Sequence, residues 1–222
     1  HARITGNGGI AEIIVADLLA PEGREQVVNA CLNLPAGLYG LVNSAGANHF
    51  ALLEDQTDSM LQTQVNLNLV VPMLLVRSLL PALRKEQGAR ILNIGSTFGS
   101  IGYPGYTAYC ASKFGLRGFN EALRRELSGS GIRVLYFAPR ATSTRLNPDN
   151  VVAMNRELGN AMDNPESVAE VAENIFINGA PDQLFFGWPE KLFSRVNQLL
   201  PGIVDNALAK QLPVIKRYAG KK

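Results

Sequence analysis

Three short runs of this chain are nearly continuous in apolar residues rather than apolar at every second position: LYGLVN at 38–43, ARILNIG at 89–95 and RVLYFA at 133–138. A strand with one wet face alternates, whereas a strand that is apolar throughout is covered on both faces, as in a parallel sheet packed between helices. Helical patterns separate the runs. Val27, Val28 and Cys31 recur at helical spacing within 21–32, a longer pattern covers about 57–83, and another covers about 107–128. Thr57 and Asp58 are candidate N-caps for the long helix and Pro72 a candidate bend. One more strand is predicted over 10–15, leading into Ala16-Asp17-Leu18. Repeated strand–helix units predict an α/β fold with an open, doubly wound parallel sheet.

The rest of the composition narrows the function. A length of 222 residues with 46% hydrophobic and 18% charged residues is that of a globular domain, not a disordered chain. A formal charge of +2 lacks the basic footprint of a nucleic-acid binder, so no nucleic-acid partner is expected. Two cysteines and two histidines supply neither a disulfide framework nor a zinc set. No apolar run is read as reaching a membrane span, and no signal-peptide pattern is read at the start. The expectation is a cytoplasmic protein without a metal.

In a doubly wound sheet, ligands bind beyond the carboxyl ends of the strands. The segments there are Asp17-Leu18, 43–46, 96–99 and 139–144, which offer Gly, Ser, Asn, Thr and an acid for a polar cofactor. The most informative spacing follows the second of the three strands: Tyr109-Cys-Ala-Ser-Lys113. On a helix, residues i and i+4 share a face, which sets an ammonium beside a phenol. A neighbouring positive charge favours phenolate and is expected to bring the tyrosine toward a working range for proton transfer. Alone, this pair is common. Ser96 lies thirteen residues upstream at a strand end, Asn43-Ser44-Ala45-Gly46 closes an earlier strand, and Asn66 sits in an apolar helix.

In this order, these motifs resemble those of the short-chain dehydrogenase/reductase family, of the compact single-domain type, from Asp17 to about Ala172. The resemblance implies a Rossmann-like fold, an NAD or NADP cofactor, and hydride transfer between it and a carbonyl/alcohol substrate. It implies Tyr109 as general acid/base, Lys113 as its partner and ribose ligand, and Ser96 as the group that orients the substrate. Asn66 would hold a relay water; its neighbour Asn68 is the competing assignment, but Val-Asn-Leu matches better at Asn66. Asp17 and Leu18 would line the adenine pocket, Asn43, Ala45 and Gly46 would meet the ribose, and Pro139 and Thr144 would hold the carboxamide. Homodimers or homotetramers are implied as well.

Three departures from the family pattern stand out. Ser44 replaces an Asn, and Arg140 replaces the Gly that follows Pro139. Arg140 has two open fates: against a cofactor phosphate or acidic substrate group, or out in solvent. The phosphate-binding turn is the third. Thr5-Gly6 begins the Thr-Gly-x-x-x-Gly-x-Gly pattern, making Gly6 a candidate ligand, but Ile10 and Glu12 occupy the later glycine positions. Eleven positions from Gly6 to Asp17 leave no room for a βαβ unit of roughly 30 residues. Residues missing between the flanks, a truncation and a true deletion are the competing accounts. The first is favoured, since a glycine-rich phosphate loop has low local stability.

The chain divides by this reading into a catalytic domain at 1–184 and an amphipathic extension at 185–222. The resemblance implies a substrate lid over 145–164, where Val151, Val152, Met154 and Met162 would offer apolar contact, with surface loop the equal alternative, and Asn164-Pro165 is read as restarting a helix. In the extension Leu192, Phe193, Val196, Leu199, Leu200, Ile203 and Val204 form an apolar stripe among scattered Lys and Arg, Lys221 and Lys222 included. It suits packing on the domain or a second subunit, or peripheral membrane contact. The leading function is an oxidoreductase for a lipophilic carbonyl or alcohol. A silent cofactor sensor or scaffold, and a tyrosine-based epimerase or dehydratase, are the alternatives.

Overall fold

The computed structural model describes residues 1–179 and 181–220. Four strands, β1 (Gly40–Asn43), β2 (Arg90–Ile94), β3 (Arg133–Ala138) and β4 (Gln183–Phe185), form one sheet in the order β1-β2-β3-β4. Every pair is parallel, with Asn43 beside Asn93 and Phe137 beside Leu184. The helices are α1 (Ala2–Gly6), α2 (Pro21–Leu32), α3 (Asp58–Val65), α4 (Val71–Leu83), α5 (Thr107–Glu126), α6 (Asp149–Glu157), α7 (Pro165–Asn178), α8 (Glu190–Leu199) and α9 (Pro201–Ala219).

Two of the three apolar strands, β2 and β3, are covered as expected, whereas Val42 of the edge strand β1 lies 48% exposed. Ile91 and Val134 pack with Val76, Leu79 and Leu83 of α4 and Leu123 of α5 on one face. Leu92, Leu135 and Phe137 pack with Ile175 and Val171 of α7 on the other. Neighbouring residues of β2 and of β3 thus enter two different cores, which is why both faces of these strands are mostly apolar.

Residues 10–15 do not form the predicted strand. Ile10, Ile13 and Val15 lie 101%, 65% and 88% exposed in a loop between α1 and α2. A strand exists only as part of a ladder, and among the described residues β1 pairs with β2 alone. β-Propensity without a partner therefore yields irregular chain.

The long helical pattern at 57–83 is present, capped by Thr57, whose Oγ1 accepts from the Met60 N–H at 3.3 Å. It is interrupted by a π-helical turn at Asn66–Val70, where the Val71 N–H reaches back to the Asn66 carbonyl. Pro72 follows directly and has no N–H to donate, so the wider turn sits where the normal ladder fails. Contrary to expectation, the stretch Asp58–Leu83 is apolar and long enough to cross a membrane by length and composition. Its buried stripe, Val71, Leu75, Val76, Leu79 and Leu83, and its place against the sheet make it a core helix.

The C-terminal segment joins the fold. Phe185 belongs to β4, so a boundary after residue 184 would cut a strand. Val204, Ile215 and Ala219 of α9 are buried, and Tyr218 donates from its hydroxyl to Glu157 of α6 at 2.9 Å. The stripe is therefore partly spent on the domain, while Leu199, Leu200 and Ile203 remain exposed. Lys221 and Lys222 lie outside the described residues.

Candidate active site

The carboxyl ends of β1, β2 and β3 open into a cavity of about 820 Å³. Ser96 lies just beyond β2 and caps a 3₁₀ turn at Thr97–Gly99, its Oγ accepting from the Phe98 N–H at 3.1 Å. Tyr109 and Lys113 stand one turn apart on α5, with Lys113 Nζ 5.8 Å from the Tyr109 ring centroid. Ser96, Tyr109 and Lys113 all line the cavity. Helical phase and the strand end thus bring three groups, separated by up to 17 positions, to one wall.

The electrostatics differ from the expectation for the pair. Burial pushes the Tyr109 phenol up to about 12, against the opposing hydrogen bond from Ser96. Burial pulls the Lys113 ammonium down to about 8. Lys113 Nζ donates to the Ile94 carbonyl at 2.9 Å. Each group carries its own desolvation penalty, and for both the penalty outweighs the attraction that spacing alone suggested. Tyr109 is a neutral proton donor in this state.

Asn66 is the assignment that the structure corrects. Its side chain is exposed, whereas Asn68 is completely buried. Asn68 Oδ1 accepts from the Ala47 N–H at 2.8 Å, and its Nδ2 donates to the Ala47 carbonyl at 2.8 Å and to Ser112 Oγ at 3.0 Å. A Cβ on Gly46 would sit 3.1 Å from Asn68 Oδ1 and 4.0 Å from Lys113 Nζ, so the glycine keeps this corner open. The signal was in the helical stripe. Asn68 leads into buried Val71 and Leu75 at i+3 and i+7, while Asn66 leads into exposed Met73 and Arg77. Asn68→Ala is expected to cost about 3 kcal/mol, because it orphans both polar groups of the Ala47 peptide. Asn66→Ala is expected to stay within about 0.5 kcal/mol in urea unfolding, and equal losses would refute this assignment.

The cofactor candidates fall into two groups. Gly46, Pro139 and Thr144 line the cavity with Tyr109 and Lys113. Asn43 is buried and donates to Asn93 Oδ1 at 2.8 Å, and Asn93 in turn donates to Asn120 Oδ1, so this amide ladder ties β1 to β2 and α5. Ala45 is exposed beside it. Gly6 ends the short helix α1 rather than a phosphate turn, since residues 2–6 close helical bonds, and it does not line the cavity. Asp17, exposed, accepts from the Leu19 N–H at 2.9 Å, and neither it nor Leu18 reaches the cavity. The hydroxyl, phenol and amine set fits the ribose and carboxamide end of a nicotinamide dinucleotide; no anion cradle faces the cavity among the described residues.

Away from the polar wall the cavity is apolar. Phe98 stacks on Tyr103 at 4.8 Å, and Tyr106 lies 5.9 Å from Tyr109. This aromatic wall was absent from the sequence reading, although the spacing 98, 103, 106, 109 around the Tyr–Lys pair carries it. Of the lid candidates, Val151 and Met154 line the cavity and Val152 and Met162 do not; Phe193, Val204 and Leu208 close it from α8 and α9. Arg140 takes neither of its expected fates, because it is paired with Asp163.

Comparison with known proteins agrees with the fold. The sequence model of the family described as short chain dehydrogenase matches residues 1–154. The uncharacterized oxidoreductase YbbO of Escherichia coli K12 is 30% identical over 214 residues, spanning 88% of this chain and 76% of that protein. A 3-oxoacyl-[acyl-carrier-protein] reductase of Bos taurus is 35% identical over 63% of this chain and 61% of its own length. Among solved structures, a dehydrogenase/reductase from Sinorhizobium meliloti superposes with a TM-score of 0.74 at 30% identity, covering 83% of this chain and 76% of the other.

Proposed function

The chain belongs to the short-chain dehydrogenase family, and on that premise we propose that it reduces a lipophilic ketone or aldehyde with NADH or NADPH, or runs the reverse alcohol oxidation. The observation that carries the proposal is the convergence of Ser96, Tyr109 and Lys113 on one wall of an otherwise aromatic and aliphatic cavity. When bound, the nicotinamide supplies the hydride that adds to the carbonyl carbon. The protein supplies the proton and the alignment. The Ser96 hydroxyl donates to the carbonyl oxygen, and the Tyr109 phenol releases its proton to that oxygen as negative charge builds on it. Lys113 as ammonium then stabilises the tyrosinate left behind. Asn68 holds the Ala47 peptide that walls this corner.

Phe98, Tyr103, Tyr106, Val151, Met154 and Phe193 select an apolar substrate body. The exposed Met73 on α4 and Phe114 on α5 support self-association as a homodimer or homotetramer. The test is NAD(P)H oxidation against matched series of lipophilic and small polar carbonyls. Turnover confined to the polar series, or none at all, refutes the proposal. The position of Gly6, Asp17 and Leu18 away from the cavity favours one rival, a catalytically silent scaffold of the same fold, which the same assay separates.

A pH dependence follows from Lys113, which loses its charge above about 8. The kcat/KM for reduction is expected to be flat below that pH and to fall about tenfold per pH unit above it. A profile flat to pH 10 would remove Lys113 from the proton chemistry.

A further inference from the structure

Arg140 stands where three segments meet at the mouth of the cavity. Its Nε donates to Asp163 Oδ2 at 2.9 Å and its Nη2 to Asp163 Oδ1 at 2.7 Å, a two-pronged pair with side chains only 16% and 15% exposed. Its Nη1 donates to the Trp188 carbonyl just beyond β4. The main chain repeats the tie: the Asp163 N–H donates to the Ala141 carbonyl at 2.8 Å, and the Ser143 N–H to the Asp163 carbonyl at 2.9 Å. Gly187 takes a φ of +106°, and a Cβ there would lie 2.6 Å from Arg140 Cδ. The backbone beside β4 is thus shaped around the guanidinium. Pro139, Ala141, Thr142 and Thr144, the stretch between these ties, line the cavity.

We propose that Arg140 and Asp163 are positioning residues that hold the 139–144 loop in its cofactor-ready shape before any cofactor arrives. The inference rests on the oxidoreductase reading and adds to it a determinant of cofactor affinity. The loop has no helix or strand of its own between β3 and α6, so its conformation depends on its ties to Asp163, of which the Arg140 pair is the side-chain part. A partly buried fork-to-fork pair is a strong one, because each partner strands the other's charge when removed. The ready shape lowers the apparent dissociation constant in proportion to its population, so a loop that adopts it one tenth of the time binds about tenfold more weakly.

The test uses the full chain with Asp163→Asn and Arg140→Lys, the second retaining charge while losing the fork. NADH and NADPH binding is read by titration, amide hydrogen exchange is read at Ser143 and Asp163 in the ligand-free protein, and kcat and KM are read on a reducible ketone. Asp163→Asn is expected to speed both amides, to weaken cofactor binding by about tenfold, and to leave kcat at saturating cofactor within about twofold. Arg140→Lys is expected to show the same pattern to a smaller degree. Exchange and affinity like wild type, or losses of kcat without a rise in cofactor KM, overturn the proposal. If either variant does not fold, the other is decisive by the same readings. Wild-type protein that binds neither NADH nor NADPH overturns the oxidoreductase reading along with this one. Normal wild-type binding with unaffected variants overturns this one alone.

Discussion

Tyr109→Phe is expected to lower kcat for carbonyl reduction by about three orders of magnitude while leaving cofactor affinity within about twofold. The ring stays where it is: Tyr109 packs among Phe98, Tyr106 and Cys110, and only the hydroxyl leaves. That hydroxyl is the proton source, neutral at working pH because burial holds it near 12. Removing it leaves the alkoxide oxygen with one hydroxyl partner and no acid. Steady-state rates and a binding titration on the same preparation decide the matter. A variant that keeps more than a tenth of the turnover would mean that another group delivers the proton.

Lys113→Met is expected to slow reduction by about two orders of magnitude and yet to stabilise the fold. A buried ammonium held near 8 instead of near 10.4 costs the folded state about 3 kcal/mol at neutral pH. Losing its bond to the Ile94 carbonyl returns roughly 1 kcal/mol of that, leaving a net gain of about 2 kcal/mol. Below pH 8 both folded and unfolded chains carry the proton and the penalty is complete. Between about 8 and 10.4 the unfolded chain binds more protons, so wild-type stability rises with pH relative to the variant. Urea unfolding at pH 7 and pH 10 should therefore show the variant's advantage at pH 7 and its loss at pH 10. A difference independent of pH would refute the cost of the buried charge. The site spends stability on a cation that only the reaction needs.

Much of this site could be read from residue order because its parts are short-range. Lys113 follows Tyr109 by one turn, and a helix places them on one face whatever surrounds it. Val134 and Leu135 declare two covered faces by being adjacent and both apolar. The same local logic, carried further along the long helix, separates buried Asn68 from exposed Asn66, and there a motif match to Val-Asn-Leu outweighed the stripe. Residues 10–15 show the opposite limit. Their β-branched pattern is real, but a ladder needs a neighbour, and no count along one segment reveals whether one is present.

Continuous apolar runs and helical spacing by themselves determined the parallel sheet and the Tyr109–Lys113 pair, because those depend on local geometry, and the family resemblance added Ser96 to the pair. Only the tertiary structure decided what burial does to the charges. It raised one group and lowered the other through desolvation, which no linear distance encodes. It also decided the partner of Arg140, since Asp163 is 23 positions away and meets it only because the loop after β3 runs beside the segment entering α7.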